Sequence, residues 1–429
     1  MKRTAVSGML PVTMLLTTPL LLAGCGTSTS PTASSGVTDI VYAPFFATRY
    51  TILQKIVAQF NKTHPHINVT IVHEPSNYTM LDKLLTELAA GTAPNVVGQW
   101  GPYAYQLYKT PGILPLNNFI AASHYNLNQF YTPALQTGLV DGVRIGLPAD
   151  NDAITVLYNK TLFQKYGVPY PSSNWTWAQM VADAKKLNHP NQKNYGFQMP
   201  VGNTEGVTWR WEPFLWQGGG HIVNPQHTKA TFDSAAGVNA LTFFKQLTQY
   251  SDVIPRAEHE TPFLAGDVAM TLSGSWQVSY LRQDHINYGV AILPSPTPGG
   301  SHTTIAGPDL NLITRSTPAK EQASWVFLQY LEDPQSSALQ ASYGHLPYNK
   351  LAFNEPVFQK ALKLYPQLTT FAQIEAQYGR IRPKFPQYSE VSQDMGNAIE
   401  NVVLGHLSPA AALAQQVPIA NQQLSSNNS

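Results

Sequence analysis

The stretch YTILQKIVAQFNKTHPHINVTIV, residues 50–72, decides the class of fold. Ile52, Ile56 and Phe60 recur at helical spacing, so the pattern predicts an amphipathic helix. Pro65 ends that helix, and the apolar alternation that follows it predicts a strand. One helix followed at once by one strand is the unit of which α/β proteins are built.

The same order continues on both sides of this stretch. DIVYAPF (39–45) alternates like a first strand, and MLDKLLTELAAGTAPNVVGQW (80–100) reads as a helix, a helix end at Gly91 and a short strand at 96–97. Strand, helix, strand, helix, strand predicts a parallel sheet flanked by helices. Ligands of such sheets bind beyond the carboxyl ends of the strands, and Trp100 lies at such an end.

The first 24 residues are typical of an export signal. Lys2 and Arg3 precede an uncharged, largely apolar run at 8–22, which is shorter than a spanning helix requires. The next residues, ending in Gly24-Cys25, resemble the bacterial lipobox, which implies cleavage before Cys25 and acylation of its thiol. The alternative is an ordinary cleaved signal with a chance cysteine. Residues 25–38 are otherwise small and polar, so we expect a flexible tether behind the lipidated cysteine.

Composition narrows the classes of function. Hydrophobic residues make up 43% of the chain, charged residues only 12%, and the formal net charge is +1. A nucleic-acid binder would favour a clustered basic face, so no such partner is expected. Residues 39–429 exceed what one hydrophobic core usually serves, so we expect two lobes. Since protonated carboxylates lose their salt bridges, the scarcity of Asp and Glu leads us to hypothesise an acidic habitat; compositional drift is the alternative.

Six patches, in order, resemble the extracellular solute-binding proteins of ABC importers, particularly the maltose-type sugar binders. The first three are AQFNKTHPHINVTI (58–71), LTELAAGTAPNVVGQW (85–100) and GLPADNDAITVLYNKTLF (146–163). The fourth, FLAGDVAMTLSGSWQV (263–278), is the most specific. The last two are YGVAILPSP (288–296) and WVFLQYLEDPQSSALQASYGHLPYNK (325–350).

The resemblance implies a type II periplasmic-binding-protein fold. In it, each of two lobes is a mostly parallel sheet flanked by helices, and the ligand cleft lies between them. We expect lobe one at 39–150 plus 303–345 and lobe two at 151–302 plus 346–429. A ligand that touches both lobes favours the closed form, which docks on membrane permease subunits.

The implied function is that of a monomeric substrate-binding lipoprotein of an ABC import system, capturing a sugar or oligosaccharide. It would be exported and held by its lipid at the outer face of the cytoplasmic membrane. We expect no enzymatic activity, no cofactor, and no catalytic or metal-binding residues.

Four candidate ligand contacts follow from sugar chemistry and the resemblance. A sugar ring has one face of C–H bonds and a rim of hydroxyls, which suit aromatic rings and carboxylates respectively. Trp276 matches the family's stacking tryptophan. Trp209 and Trp211 carry over from an aromatic region of the family, in a stretch that reads as a loop leading to a helix. Asp152 falls where a maltose-type carboxylate meets sugar hydroxyls, although a hinge hydrogen bond is equally open to it.

Three further candidates rest on position. Trp100 comes from the strand-end argument alone, Tyr343 precedes a Gly-x-Leu-Pro turn, and Arg382 precedes PKFPQY. A structural salt bridge is an equal alternative for Arg382. The tryptophans expected to pack in the core or at a helix start are Trp175, Trp177 and Trp325.

Departures from the family pattern leave the ligand open. Ser392 stands where the final helix carries an aromatic stacker, and APFFATR (43–49) lacks an acidic pair, which argues against a malto-oligosaccharide. A glycerol-phosphate ester is an alternative ligand because Arg380 and Arg382 lie near the expected cleft. An exported carbohydrate-active enzyme would need two opposed carboxylates, which nothing in the sequence brings together. The low acid content argues against polyamines, and HPH (64–66) fits no tight zinc signature.

Overall fold

The computed structural model of the chain describes residues 36–45, 49–73, 80–255 and 261–426. The expected signal peptide, Cys25 and the tether as far as residue 35 lie outside the described residues. The strands are β1 (Thr38–Ala43), β2 (Ile67–Ile71), β3 (Val96–Gln99), β4 (Leu139–Val140), β5 (Val143–Arg144), β6 (Gly146–Pro148), β7 (Thr155–Asn159), β8 (Phe197–Val201), β9 (Ser251–Pro255), β10 (Met270–Ser273), β11 (Tyr288–Ala291), β12 (Thr304–Ile305), β13 (Leu310–Ile313) and β14 (Gly379–Arg380).

The helices alternate with these strands in the first half of the chain and predominate towards its end. They are α1 (Tyr50–Thr63), α2 (Met80–Ala90), α3 (Ala104–Lys109), α4 (Asn117–Ser123), α5 (Thr132–Thr137), α6 (Lys160–Lys165), α7 (Trp177–Leu187), α8 (Glu205–Gln217), α9 (Ala235–Thr248), α10 (Thr261–Leu264), α11 (Val278–Gln283), α12 (Pro318–Leu331), α13 (Pro334–Ala341), α14 (Pro356–Leu364), α15 (Leu368–Tyr378), α16 (Tyr388–Val403) and α17 (Pro409–Ser426).

The first lobe is built on a five-stranded sheet of order β2-β1-β3-β13-β6. β1 pairs in parallel with β2 and β3, as the repeated strand–helix order predicts. α1 ends before Pro65 and buries Ile52, Ile56 and Phe60, which confirms the predicted amphipathic helix. β13 pairs antiparallel with β3 and β6, so the sheet is mixed. The reason is that β13 returns the chain from the second lobe and enters the sheet in the opposite direction.

The second lobe has two smaller sheets. β7 lies between β10 and β11 and runs antiparallel to both, while β8 and β9 form a parallel pair. The sheet around β7 is therefore antiparallel, whereas a mostly parallel sheet is expected for this lobe. β10 and β11 reach β7 through connections that reverse the chain, whereas parallel pairing needs a crossover such as the one through α8 and α9 that links β8 to β9.

Helix α8 corrects one sequence-based expectation, because the stretch that contains Trp209 and Trp211 is helical throughout and not a loop leading to a helix. It is buried almost all round and contains Pro213, so its apolar residues show no one-sided stripe that a sequence pattern could reveal. Of the thirteen described residues of α8, Trp209 alone is not buried. The helix thus presents one indole at its surface.

The tryptophans expected to pack do so. Trp325 lies in the core of the first lobe against the rings of Phe119 and Tyr125. In the second lobe Trp175 and Trp177 are buried on either side of Thr176, which caps α7 with a reciprocal capping box. These positions confirm the packing and helix-start roles predicted for them.

By its contacts Val37–Ser429 forms one compact unit, and hydrogen bonds join residues that are expected in different lobes. Lys384 Nζ donates to the carbonyl oxygen of Gln136 at 2.7 Å and to that of Leu139, reaching from the second lobe to the first. Ser389 Oγ, on α16, donates to Gln106 Oε1 at 3.0 Å. None of the helices in the described parts of the chain has the length and apolar character of a membrane span.

Candidate functional site

The two segments that cross between the lobes run side by side. The backbone N–H of Ala149 donates to Asp309 O at 2.8 Å, and that of Gly307 donates to Asp152 O at 3.3 Å. These bonds bring the buried residues Asp150 and Asp152 together with the buried Asp309, which is distant from them in the sequence. We call these three residues the acidic cluster.

Each of the first two carboxylates of the acidic cluster has a specific partner. Asp150 Oδ2 lies 2.8 Å from Arg49 Nη2, and Ser275 Oγ donates to Asp152 Oδ1. Their other oxygens face His345, whose Nδ1 is 3.9 Å from Asp150 Oδ1 and 3.8 Å from Asp152 Oδ2. The imidazole is only 2% exposed, and its Nδ1 makes no hydrogen bond within the described part of the chain.

Burial dominates the electrostatics of this site. It raises the pKa of Asp150 to about 7 and also raises the pKa values of Asp152 and Asp309, because a carboxylate loses hydration there. Burial likewise raises the pKa of Glu375, whose carboxyl is coupled to the same cluster, to about 8. The pKa of His345 falls to about 3, so its ring is neutral. The site therefore has more carboxyl groups than its cations neutralise.

Two indole rings form an aromatic surface next to the acidic cluster. Trp209 and Trp276 are stacked, with centroids 5.3 Å apart and an interplanar angle of 27°, and both are partly exposed. Trp276 directly follows Ser275, the partner of Asp152. Its ring folds back over Gly274, where a Cβ atom would come within 2.0 Å of the indole. The absence of a side chain at Gly274 thus leaves room for this position of the ring, which a Cβ atom would displace.

Arg382 links the indole pair to a buried polar network. Its guanidinium lies 5.7 Å from the centroid of Trp209, and its Nη1 forms an ion pair with Glu205 Oε1. The hydroxyl of Tyr388 is 3.1 Å from Glu205 Oε1 and 2.8 Å from Glu212 Oε1. Burial raises the pKa of Glu212 to about 8. Because Glu205 begins α8 and Arg382 contacts the ring of Trp209, the network holds this indole in position.

Trp100 lies in the first lobe close to the segment that carries Asp150. It follows the carboxyl end of β3 and packs in a small apolar cluster with Phe45, Met80 and Ala149. The centroids of Trp100 and Phe45 are 5.1 Å apart. Because Ala149 immediately precedes Asp150 in the sequence, this packing places Trp100 near the acidic cluster.

A sequence profile of the bacterial extracellular solute-binding proteins matches residues 55–366. The chain belongs to this family. Proteins of this family are extracellular and bind solutes rather than acting as enzymes, so membership implies that this chain is exported.

Relatives and solved structures agree with this assignment. The solute-binding protein is 22% identical over 430 residues to the galactooligosaccharide-binding protein of Bacillus subtilis, which covers 96% of each chain. An ABC substrate-binding protein of Listeria monocytogenes, solved in complex with cycloalternan, superposes with a TM-score of 0.81 at 23% identity, covering 90% of this chain and 99% of that one. UgpB of Mycobacterium tuberculosis, in complex with glycerophosphocholine, superposes with a TM-score of 0.79 at 14% identity, covering 91% of this chain and 99% of that one. These superpositions establish the two-lobed fold.

Four of the seven sequence-predicted contacts are connected to one another in the solute-binding protein. Asp152, Trp209, Trp276 and Arg382 are linked through the contacts described above. Trp100 lies in the first lobe, in the apolar cluster that contains Ala149.

The remaining two candidates differ sharply in burial. Trp211 is fully buried at 0% exposure inside the second lobe, because its side of α8 faces the core. Tyr343 is 37% exposed, two residues before His345, at a more open position than the indole pair.

Sequence reasoning did not identify Arg49, Asp309 or His345 as part of the site. Arg49 and Asp309 reach it only through tertiary packing, so no local pattern indicates them. His345 stands in the Gly-x-Leu-Pro turn that the sequence did single out, after Gly344 at φ +100°. A glycine in that conformation marks a forced turn, and the polar residue after it was the available signal.

Proposed function

We propose that this solute-binding protein captures a saccharide between its two lobes and delivers it to the permease subunits of an ABC importer. The observation that carries the proposal is the stacked pair of Trp209 and Trp276 beside Asp152 and Arg382. An apolar ring surface next to hydrogen-bonding groups is the combination that a sugar requires. The names of the Bacillus relative and the Listeria complex support the same class of ligand.

Capture would occur by closure of the lobes, for which we propose the boundaries 39–150 plus 303–345 and 151–302 plus 346–429. A saccharide held between the Trp209–Trp276 pair and the first-lobe wall favours the closed state by its differential affinity for the two forms. The hydrogen bonds of Lys384 across the cleft stabilise the closed state further, without contact to the ligand. We propose that the closed form is monomeric and is the one the permease recognises.

We further propose that residues 1–24 are a signal peptide and that lipidated Cys25 anchors the protein to the outer face of the membrane, with residues 25–38 as tether. Acyl chains contribute about 0.8 kcal/mol for each buried methylene, so multiple acylation holds such a domain at a bilayer. In the native host, Cys25→Ser is expected to move the protein from the membrane fraction to the soluble exported fraction. Retention of the variant at the membrane would refute the anchor.

A phosphate ester fits the site less well, although UgpB shares the fold. Arg382 is already paired with Glu205, and Arg49 with Asp150. The additional carboxyl groups of Asp152 and Asp309 would repel a phosphate. An exported enzyme is also disfavoured, because Asp150 and Asp152 lie side by side and do not form a pair opposed across a bound sugar.

Thermal-shift measurements against monosaccharides, galacto- and malto-oligosaccharides and cyclic glucans test the proposal. We expect at least one of these saccharides to raise the melting temperature and to be recovered intact after incubation. Trp276→Ala should abolish the shift. Tyr170→Ala should not, because that ring packs on Tyr158 and Phe163 at the far end of β7. No shift with any saccharide, or release of a cleaved product, would refute the proposal.

A further inference from the structure

The region between the lobes contains more carboxyl groups than cationic side chains that pair with them. Asp150 and Glu205 are each paired with an arginine. In the described part of the chain Asp152 and Asp309 form no ion pair with lysine or arginine. The whole sequence contains only 25 Asp and Glu residues, so their concentration between the lobes is a feature of this site and not of the surface in general.

A second, independent observation comes from His345. Its Nδ1 is buried, has no hydrogen-bond partner within the described residues, and points at the Asp150 and Asp152 oxygens. A buried polar atom without a partner normally indicates a missing partner. Since burial keeps the ring neutral, Nδ1 can accept a hydrogen bond in the tautomer that carries its proton on Nε2. Three acceptors, from Asp150, Asp152 and His345, therefore lie within 4.8 Å of one another.

The partner that suits three converging acceptors is a group with three donors and a positive charge. We propose that the captured solute is an aminated saccharide, whose protonated primary amine donates to Asp150, Asp152 and His345 while its ring lies against the Trp209–Trp276 pair. This inference deepens the proposed function and rests on it.

The distances between the acceptors lie between those that a metal ion and an ammonium group would impose. His345 Nδ1 lies 3.8 and 3.9 Å from the two carboxylate oxygens. Bonds of about 2.1 Å in a tetrahedral zinc site would place such ligand atoms about 3.4 Å apart. Charge-assisted hydrogen bonds of about 2.8 Å around an ammonium nitrogen would place them about 4.6 Å apart, so the choice between the two cations rests on the surroundings of the site.

The surroundings of the three acceptors favour an organic cation. Ser275 joins Asp152 to Trp276, so the carboxylates and an indole surface are neighbours. An ammonium group near an indole gains cation–π attraction as well as hydrogen bonds, and the carbon skeleton that bears it gains the apolar contact. A bare metal ion would make no use of the rings.

The experiment is isothermal titration calorimetry of the mature full-length protein with matched ligands at pH 7.5. The pairs are glucosamine with glucose, galactosamine with galactose, and the glucosamine trimer with cellotriose; the N-acetylated trimer is the uncharged control. We expect at least one amine to bind about tenfold or more tightly than its hydroxyl counterpart, because the amine alone supplies charge-assisted bonds. We also expect proton release on binding, measured in two buffers of different ionisation enthalpy, because the ammonium favours the ionised carboxylates.

Variants identify the site. Asp152→Asn and, as a second route should that variant fold poorly, Asp150→Asn should remove the preference for the amine and the proton release. Asp284→Asn, which changes an exposed carboxylate outside the cleft, should retain both.

The other outcomes each decide the question. Neutral sugars that bind as tightly as their amines would overturn the inference and leave the proposed function intact. Binding of spermidine without binding of any saccharide would overturn both. Titration with ZnCl₂ alone that shows tight binding lost in Asp152→Asn would assign the three acceptors to a metal ion and overturn the ammonium site.

Discussion

Replacing Glu332 by glutamine tests the electrostatics of the buried carboxyl groups at a position outside the cleft. Glu332 follows α12 in the first lobe and is fully buried. Its Oε1 accepts from Asn311 Nδ2 at 2.6 Å, and its Oε2 makes no hydrogen bond within the described part of the chain. Burial raises its pKa from 4.5 to about 8, against the opposing effects of the neighbouring Tyr348 and Asn311 side chains and of the charge of Arg49.

The sign of the effect follows from which state binds the proton. Between pH 4.5 and 8 the folded protein keeps Glu332 protonated while the unfolded chain does not. The stability contributed by this proton is complete below pH 4.5 and is lost as pH rises through 8. Each pH unit in that window removes up to about 1.4 kcal/mol, so the loss reaches about 4 kcal/mol at pH 8.

The assay is urea unfolding of wild type and Glu332→Gln at several values between pH 4.5 and 8.5. Glutamine keeps the shape and cannot ionise, so the variant should lose about 4 kcal/mol less free energy of unfolding than wild type across this range. Asp284→Asn, an exposed carboxylate, should follow wild type. Parallel pH curves for Glu332→Gln and wild type would show that Glu332 is ionised in the folded state, and the reasoning would fail.

Three further predictions concern the cleft. Arg382→Met should reduce the free energy of unfolding by about 3–5 kcal/mol, because it leaves Glu205 buried without its cation. The double variant with Glu205→Gln should recover much of the lost stability, which a double-mutant cycle of urea unfolding measures. Trp276→Ala should weaken saccharide binding about 10- to 100-fold in calorimetry with little change in stability, whereas Trp325→Ala should reduce stability by about 3–5 kcal/mol and keep the affinity. Lys384→Met should weaken binding by about fivefold and increase the ligand-free radius of gyration in small-angle scattering, since it removes a contact of the closed state; an unchanged radius and affinity would exclude that role.

The sequence predicts the first lobe well because its signals are local. α1 and β2 follow from the spacing of apolar residues and from Pro65, and Gly91 ends α2 with a positive φ of 70°, as expected of a helix end. The strand directions are not local. β13 is antiparallel to its neighbours because the chain leaves the lobe and returns, and nothing within LNLI (310–313) records that path.

The candidate site divides in the same way. The sequence singles out Trp276 because its Gly-Ser-Trp turn is a local motif, in which Gly274 leaves room for the indole ring. Trp209 and Trp211 are two positions apart and equally aromatic, yet only Trp209 is at the surface of α8, since the orientation of a helix buried nearly all round is set by its neighbours. The partners of Asp152, among them Ser275 and His345, come from two other stretches of the chain, and only the folded structure joins them.

The buried carboxyl groups bear on the hypothesis of an acidic habitat in two opposite ways, through the stability of the fold and through ligand binding. Asp150, Glu212, Glu332 and Glu375 all have raised pKa values through burial, so each makes folding take up a proton and the fold gains stability as pH falls towards the ordinary carboxyl range. The ammonium ligand that we propose would impose the opposite requirement, because it would bind to ionised carboxylates. We therefore expect acid to stabilise the protein and to weaken capture of a cationic solute. The lowest pH at which the protein can work is accordingly the pH at which the ligand still displaces the protons of Asp150 and Asp152.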